Sequence, residues 1–209
     1  VGRVGWIWPP VVDWIDRKCV ASAQIRQRLV AAAVAKLAAA GCSLAQALLL
    51  PGDARGQDLE AIGFVLITEM IRMVRECGVR SRWAHETGGL EFESYEQVNE
   101  PNFEEVIEQT YRGSQDCPEL DGVRTVTETL ESYKATGSFR PDLWLLARQR
   151  DNWVGCVLLA NCPAECSCEL QYMGVVPHAR GRQTGRILCE RALTDARRVG
   201  ASKLILSVD

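Results

Sequence analysis

Beyond residue 90 the apolar positions switch between a period of two and a period near 3.6, and each switch marks a new element. Residues 90–95 (LEFESY) alternate as a half-exposed first strand. Asn99, Glu100, Pro101 and Asn102 open a helix that continues through Val106, Ile107 and Tyr111, and a second helix is predicted over residues 123–133. Gly137 and Pro141 punctuate the chain. The apolar runs at 143–147 and 153–160 form a hairpin around Arg150, Asp151 and Asn152. A further strand covers residues 169–176 and stops at Pro177. After an Arg/Gly-rich loop, Leu188, Ala192, Ala196 and Val199 keep a helical spacing, and residues 203–208 (KLILSV) read as a last strand.

The first part of the chain carries a shorter version of this pattern. Residues 4–8 alternate as a strand stopped by Pro9 and Pro10. Residues 24–39 are rich in Ala and Leu and end near Gly41, a helix followed by its C-cap residue type. Residues 44–50 read as a strand, 55–62 as a short helix ending at Gly63, and 64–74 as a longer apolar strand. Helix, glycine and apolar strand occur in that order over both 29–50 and 188–208, an internal echo that points to two copies of one unit.

Composition narrows the function classes. A formal net charge of −3 argues against a general nucleic-acid binder. No apolar run is long enough to span a membrane, because Arg28, Lys36, Gly41 and Gln46 interrupt the longest one. The start of the chain has no signal-peptide pattern. The nine cysteines are scattered and odd in number, which suits a reducing cytoplasm better than a disulfide framework. Cys162, Cys166 and Cys168 are close in sequence but lack a fourth ligand and a standard zinc spacing, so no metal is assigned. Hydrolase and P-loop motifs are absent from the sequence.

The densest chemistry lies at 172–186 (YMGVVPHARGRQTGR). A helix entered from a glycine-containing loop offers unpaired N–H groups and the positive end of its dipole to an anion. With the preceding strand ending in V-x-P, the segment resembles the acyl-CoA motif V-x-P-x-x-R/Q-G-x-G-x-G/A of the GNAT (Gcn5-related N-acetyltransferase) superfamily. Pro177, Arg180, Gly181 and Gly185 fill motif positions, while Gln183 stands where glycine is usual. A place in the first helical turn would give Gln183 a negative φ. The order of elements from residue 90 is also similar to that of a GNAT domain, and residues 59–64 (LEAIGF) resemble the family's helix-to-strand junction. Together with the segment after Tyr111, this is similar to tandem-GNAT proteins of the mycothiol synthase type.

The resemblance implies an α/β (α+β) fold with a mixed central sheet flanked by helices. It divides the chain into the C-terminal half of a degenerate GNAT-like domain (1–75), a linker (76–89) and an acyl-CoA-binding GNAT domain (90–209). The chain then reads as a fragment truncated at both ends. The first copy lacks a phosphate cradle and is expected to pack on the second. The resemblance further implies acetyl-CoA as cosubstrate and a small-molecule primary amine as acceptor. The coenzyme would be held by Arg180, Gly181, Arg182, Gln183, Thr184, Gly185 and Arg186. The strand before the motif would bear a bulge and splay from its neighbour, so that Met173, Gly174 and Val175 pair with the pantetheine arm. Glu169, six residues before Val175 and on one strand face with Gln171, Met173 and Val175, is the expected base. The general acid would lie beyond Asp209. A non-catalytic acyl-CoA-binding or structural module is the alternative.

Overall fold

The computed structural model describes residues 4–12, 20–78, 88–114 and 125–208. The chain forms two compact units, Val1–Ile67 and Thr68–Asp209.

In the first unit, strand β1 (Val4–Trp6) and strand β2 (Leu44–Gln46) pair in parallel, joined through helix α1 (Val20–Ala39). Gly41, with φ of 85°, ends the helix as a left-handed residue. Gly5 permits the helix to lie close to the strand, since a Cβ there would stand 2.4 Å from Leu37 Cδ1. Helix α2 (Arg55–Glu60) is tied to α1 by the Arg26–Asp58 ion pair at 2.5 Å. Ile7, Val30 and Leu59 form a small core.

Two expectations change here. The strand expected at 44–50 is confined to β2, because Pro51 and Gly52 begin a turn and residues 47–50 find no ladder partner. The strand expected at 64–74 is not part of this unit. Residues 64–70 have no regular structure, and strand β3 (Ile71–Glu76) starts after them. Its main chain pairs antiparallel with a strand of the second unit, from Ile71↔Val208 to Glu76↔Lys203. A boundary at residue 75 would cut through this strand, and the division falls instead between Ile67 and Thr68. Most of the expected linker, residues 79–87, lies outside the described residues.

The second unit is built on a mixed six-stranded sheet. Besides β3 it contains β4 (Glu91–Ser94), β5 (Trp144–Gln149), β6 (Asn152–Cys162), β7 (Ser167–Val175) and β8 (Lys203–Val208). Their order is β3-β8-β7-β6-β5-β4, and every neighbouring pair is antiparallel except β7 with β8. Helices α3 (Glu100–Tyr111), α4 (Val126–Lys134) and α5 (Thr184–Arg198) complete it. Thr125 caps α4 by accepting from the Glu128 N–H at 3.2 Å, while Glu128 returns to the Thr125 N–H. The expected start of α4 at 123 lies outside the described residues.

The helices lie on opposite faces of the sheet, as three successive residues of β7 report. Met173 meets Cys189 of α5, Gly174 faces Thr110 of α3, and Val175 faces Gly185 of α5. Coverage on both faces explains why Val154 to Ala160 on β6 is an unbroken buried run. On the α3 side, Phe103, Val106, Ile107 and Leu130 are fully buried; on the α5 side, Leu188, Ala192 and Ala196 are.

One irregularity interrupts the sheet. Leu158 of β6 opposes Tyr172, but Leu159 opposes Leu170, so Gln171 is an extra residue in β7. This is a β-bulge, which locally bends and twists its strand. The parallel pairing of β7 with β8 runs from Ser167↔Lys203 only to Leu170↔Leu206 and ends at the bulge. From Gln171 to Val175, the side of β7 toward β8 has no strand partner among the described residues.

Gly174 sits in the parted segment and is crowded by the helix above it. A Cβ there would stand 2.7 Å from three atoms of Thr110. We expect Gly174→Ala to lower stability by about 1–3 kcal/mol through overpacking. Urea denaturation checks this; an unchanged midpoint would mean that α3 can yield at no cost.

Candidate functional site

The loop between β7 and α5 is fixed from within. Residues Pro177–Ala179 make one 3₁₀ turn, and the buried Thr184 hydroxyl donates to the Ala179 carbonyl at 3.0 Å. Gly181 has φ of 73° and Gln183 φ of 65°. Helix α5 begins only at Thr184. Among the described residues, no protein acceptor meets the main-chain N–H of Arg182, Gln183, Thr184 or Gly185, while the Ile187 N–H reaches the Gln183 carbonyl at 3.2 Å. Open amides at a helix N-terminus, next to a left-handed residue, form a concave anion site aligned with the helix dipole. Arg182 is exposed beside it, and Arg186 lies in the first helical turn. A Cβ on Gly185 would meet nothing closer than Val175 Cγ2 at 3.8 Å.

Gln183 therefore departs from expectation. It is the N-cap in left-handed conformation, not a first-turn residue with negative φ, and its side chain makes no capping bond. The loop must reverse sharply to enter α5, and it does so at this residue. Glycine adopts that conformation freely, whereas a residue with a Cβ is strained there by about 1–2 kcal/mol. His178 is exposed in the same loop.

Arg180 does structural work with its side chain. Its Nε donates to the Val175 carbonyl at 3.1 Å, Nη1 to Gly113 at 3.2 Å and Nη2 to Thr110 at 2.8 Å. The guanidinium thus joins the carbonyl end of α3 to the end of β7. The Arg180 side chain is engaged by the protein itself.

The bulge reorders the faces of β7. Gln171 Nε2 donates to the Tyr133 carbonyl of α4 at 3.1 Å, and the Tyr172 hydroxyl lies 2.5 Å from Thr110 Oγ1 of α3. Both neighbours point to the α3/α4 face. Alternation from Gln171 places Glu169 on that face too. Glu169 accordingly shares a face with Gln171 but not with Met173 and Val175, which turn toward α5. The expected common face fails because one inserted residue reverses the parity of every later position in the strand. The resemblance implies a bulge in this strand, but no periodicity places it at Gln171, and Gln171, Thr110 and Tyr133 were not singled out from the sequence for that reason.

Three tyrosines gather around this point. Tyr172 meets Tyr111 edge-on with centroids 5.9 Å apart and stacks on Tyr133 at 6.2 Å. Thr110 spends its one hydroxyl proton on the Ile107 carbonyl at 2.7 Å, so Tyr172 must be the donor in the pair with Thr110. Burial pushes the Tyr172 phenol well above the ordinary tyrosine range. A phenol held as a donor and resistant to ionisation offers its ring rather than its proton. The buried thiols are equally inert: burial pushes Cys156 up to about 12 and Cys168 up to about 11. Among the described residues, no group of three or more His, Cys, Asp or Glu is placed to hold a metal ion.

The model of the Acetyltransferase (GNAT) family matches residues 107–209, all within the second unit. A GCN5-related N-acetyltransferase from Sphaerobacter thermophilus is 19% identical, with a TM-score of 0.58 over 79% of this chain and 50% of that one. A GCN5-related glucosamine N-acetyltransferase region of a fungal multi-domain GH3 β-N-acetylglucosaminidase is 13% identical, with a TM-score of 0.52 over 78% of this chain and 22% of that one. A GNAT family acetyltransferase from Brucella melitensis, solved in complex with acetyl-CoA, is 18% identical, with a TM-score of 0.43 over 56% and 74%. No curated protein matches the sequence. The chain spans half the length of the Sphaerobacter protein. The second unit has the GNAT fold, and the GNAT family model falls entirely within it.

The left-handed Gln183 yields a direct test. Gln183→Gly should remove the strain and raise stability by about 1 kcal/mol, after allowing for the greater flexibility of glycine in the unfolded chain. Thermal unfolding checks this, and CoA affinity should be equal or better. A fall in both stability and affinity would mean that the glutamine side chain holds the loop.

Proposed function

We propose that this chain is part of an acetyl-CoA-dependent N-acetyltransferase that acts on a primary amine of a small molecule. The observation that carries this reading is the junction of two features in one unit. The unpaired edge of β7 ends at Val175, and Val175 borders Gly185 in the anion cradle of α5. A ligand with a pyrophosphate at one end and an amide-bearing arm at the other fits that junction. Acetyl-CoA is such a ligand.

In this reading the amides of Gly181, Arg182, Gln183, Thr184 and Gly185 hold the pyrophosphate, with Arg182 and Arg186 adding positive charge. The parted main chain of Met173, Gly174 and Val175 pairs with the pantetheine arm. Arg180 keeps α3 and β7 in place. Glu169 is the base, on the face opposite α5, where the acceptor would enter between α3 and α4. Bound acetyl-CoA supplies the thioester: the amine nitrogen bonds to its carbonyl carbon, the C–S bond breaks, Glu169 takes the amine proton, and the departing sulfur is protonated by an acid left unassigned. The hydrogen bond to Thr110 and its raised pKa argue against Tyr172 in that role.

The first unit, with its parallel strand–helix–strand arrangement, is read as a degenerate GNAT-like half-domain that packs on the second. Cytoplasmic location is proposed from the scattered cysteines; among the described residues no helix is long and apolar enough to cross a membrane. The strained Gln183 favours one second reading, a non-catalytic acyl-CoA-binding module. Release of free thiol from acetyl-CoA in the presence of an amine separates the two.

Glu169→Gln in the full-length protein keeps the shape of the side chain but cannot accept the proton. The transfer rate constant should fall by roughly 10²-fold or more near neutral pH, with acetyl-CoA binding little changed. The deficit should shrink as pH rises, because more of the amine arrives neutral. A full rate at pH 7 would move the base elsewhere.

A further inference from the structure

Gln171, the extra residue of the β7 bulge, has one unexplained atom. Its Nε2 donates to the Tyr133 carbonyl at 3.1 Å, which fixes the orientation of the amide, because the reverse orientation would set two oxygens against each other. Its Oε1 is then buried without a hydrogen-bond donor among the described residues. A buried, unmet carbonyl is costly, and a native protein carries few of them without a use. This one lies where β7 parts from β8 and two residues along one face from Glu169, roughly 7 Å away along an extended strand. The stacked rings of Tyr133 and Tyr172, with Tyr111 edge-on, stand next to it.

The charges around this point favour a cation. Lys134, which follows Tyr133, is paired with Glu100 at 3.1 Å and with Glu131 at 2.9 Å. The Arg180 guanidinium is committed to three carbonyls. Arg72 of β3 is two strands away, opposite Ser207 of β8. Among the described residues, a carbonyl oxygen, the Glu169 carboxylate and aromatic rings, whose faces attract cations, lie at the bulge, and the nearest unspent positive charge, that of Arg72, reaches only as far as Cys162 beside Glu169.

Resting on the acetyltransferase reading above, we propose that Gln171 is a specificity-determining residue: its Oε1 accepts a hydrogen bond from the nitrogen of the acceptor. The acceptor is then a primary amine on a flat or apolar body, with no carboxylate beside the amine. The rings hold the body, Gln171 orients the nitrogen, and Glu169 receives its proton.

Three substitutions separate this role from a merely structural one. Gln171→Glu keeps an acceptor oxygen and loses the donor to Tyr133. Gln171→Lys keeps a donor and loses the acceptor, and Gln171→Leu loses both. The probe is phenethylamine, compared with phenylalanine, which has the same ring and carries a carboxylate beside its amine. In the full-length protein, acetyl-CoA affinity is measured by calorimetry and kcat/KM by thiol release. We expect phenethylamine to be preferred by at least tenfold. The Lys and Leu variants should lose at least tenfold in kcat/KM for it, while the Glu variant stays within about threefold of wild type and all bind acetyl-CoA normally. A Glu variant that fails while the Lys variant works would reduce Gln171 to a tether for α4 and overturn the proposal. So would equal use of phenylalanine, or no use of phenethylamine by a protein that binds acetyl-CoA. Failure of the wild type to bind acetyl-CoA would instead overturn the underlying reading of the site.

Discussion

The parallel pairing of β7 with β8 stops after Leu170, and most of the candidate site depends on that one event. A strand that kept its partner to the end would have its main chain fully engaged and nothing to offer a ligand. Here the bulge at Gln171 turns the strand away, and the chain continues to Val175 with one edge open. The same bend lets Gln171 and Tyr172 both reach α3 and α4. It also brings the end of β7 to the N-terminus of α5, where unpaired amides face outward. The open edge is thus a consequence of one interruption in the ladder, and the loop turn at Gln183 adds the open amides beside it.

Holding a parted strand in place needs support from elsewhere, and the structure supplies it from α3. Thr110 presses on Gly174 and accepts from Tyr172, and its carbonyl receives Arg180. Arg180 also takes the carbonyls of Gly113 and Val175, so the strand end is anchored even though β8 has left it. Charged donors to carbonyls are stronger than neutral ones, which suits a position where ladder bonds are missing. An arginine expected to meet phosphate thus contributes by shaping the site through its side chain.

Much of this was legible in the sequence, and the misses share a cause. The strand–loop–helix around Pro177, Gly181 and Gly185 could be read directly, because glycine and proline impose backbone geometry wherever they stand. The order of elements from residue 90 could be read for the same local reasons of period and punctuation. Three features depended on partners instead. The left-handed turn at Gln183 is set by the path of the loop, against the preference of the residue itself. A bulge in this strand is implied by the resemblance, but its place at Gln171 is a property of two strands in register, on which the period of β7 alone is uninformative. The affiliation of β3 was hidden because an apolar strand does not say which sheet it joins, and Ile71 to Glu76 join β8 across the boundary expected from the internal echo.

The central claim is that the open amides at the start of α5 form a phosphate cradle. Gly185→Asp tests it most directly, since a side chain there has room and the fold should be unaffected, while a negative charge enters the cradle. Calorimetric titration with CoA should show the variant binding at least tenfold more weakly than wild type, about 1.4 kcal/mol. Equal affinity in a variant with unchanged thermal stability would contradict the account.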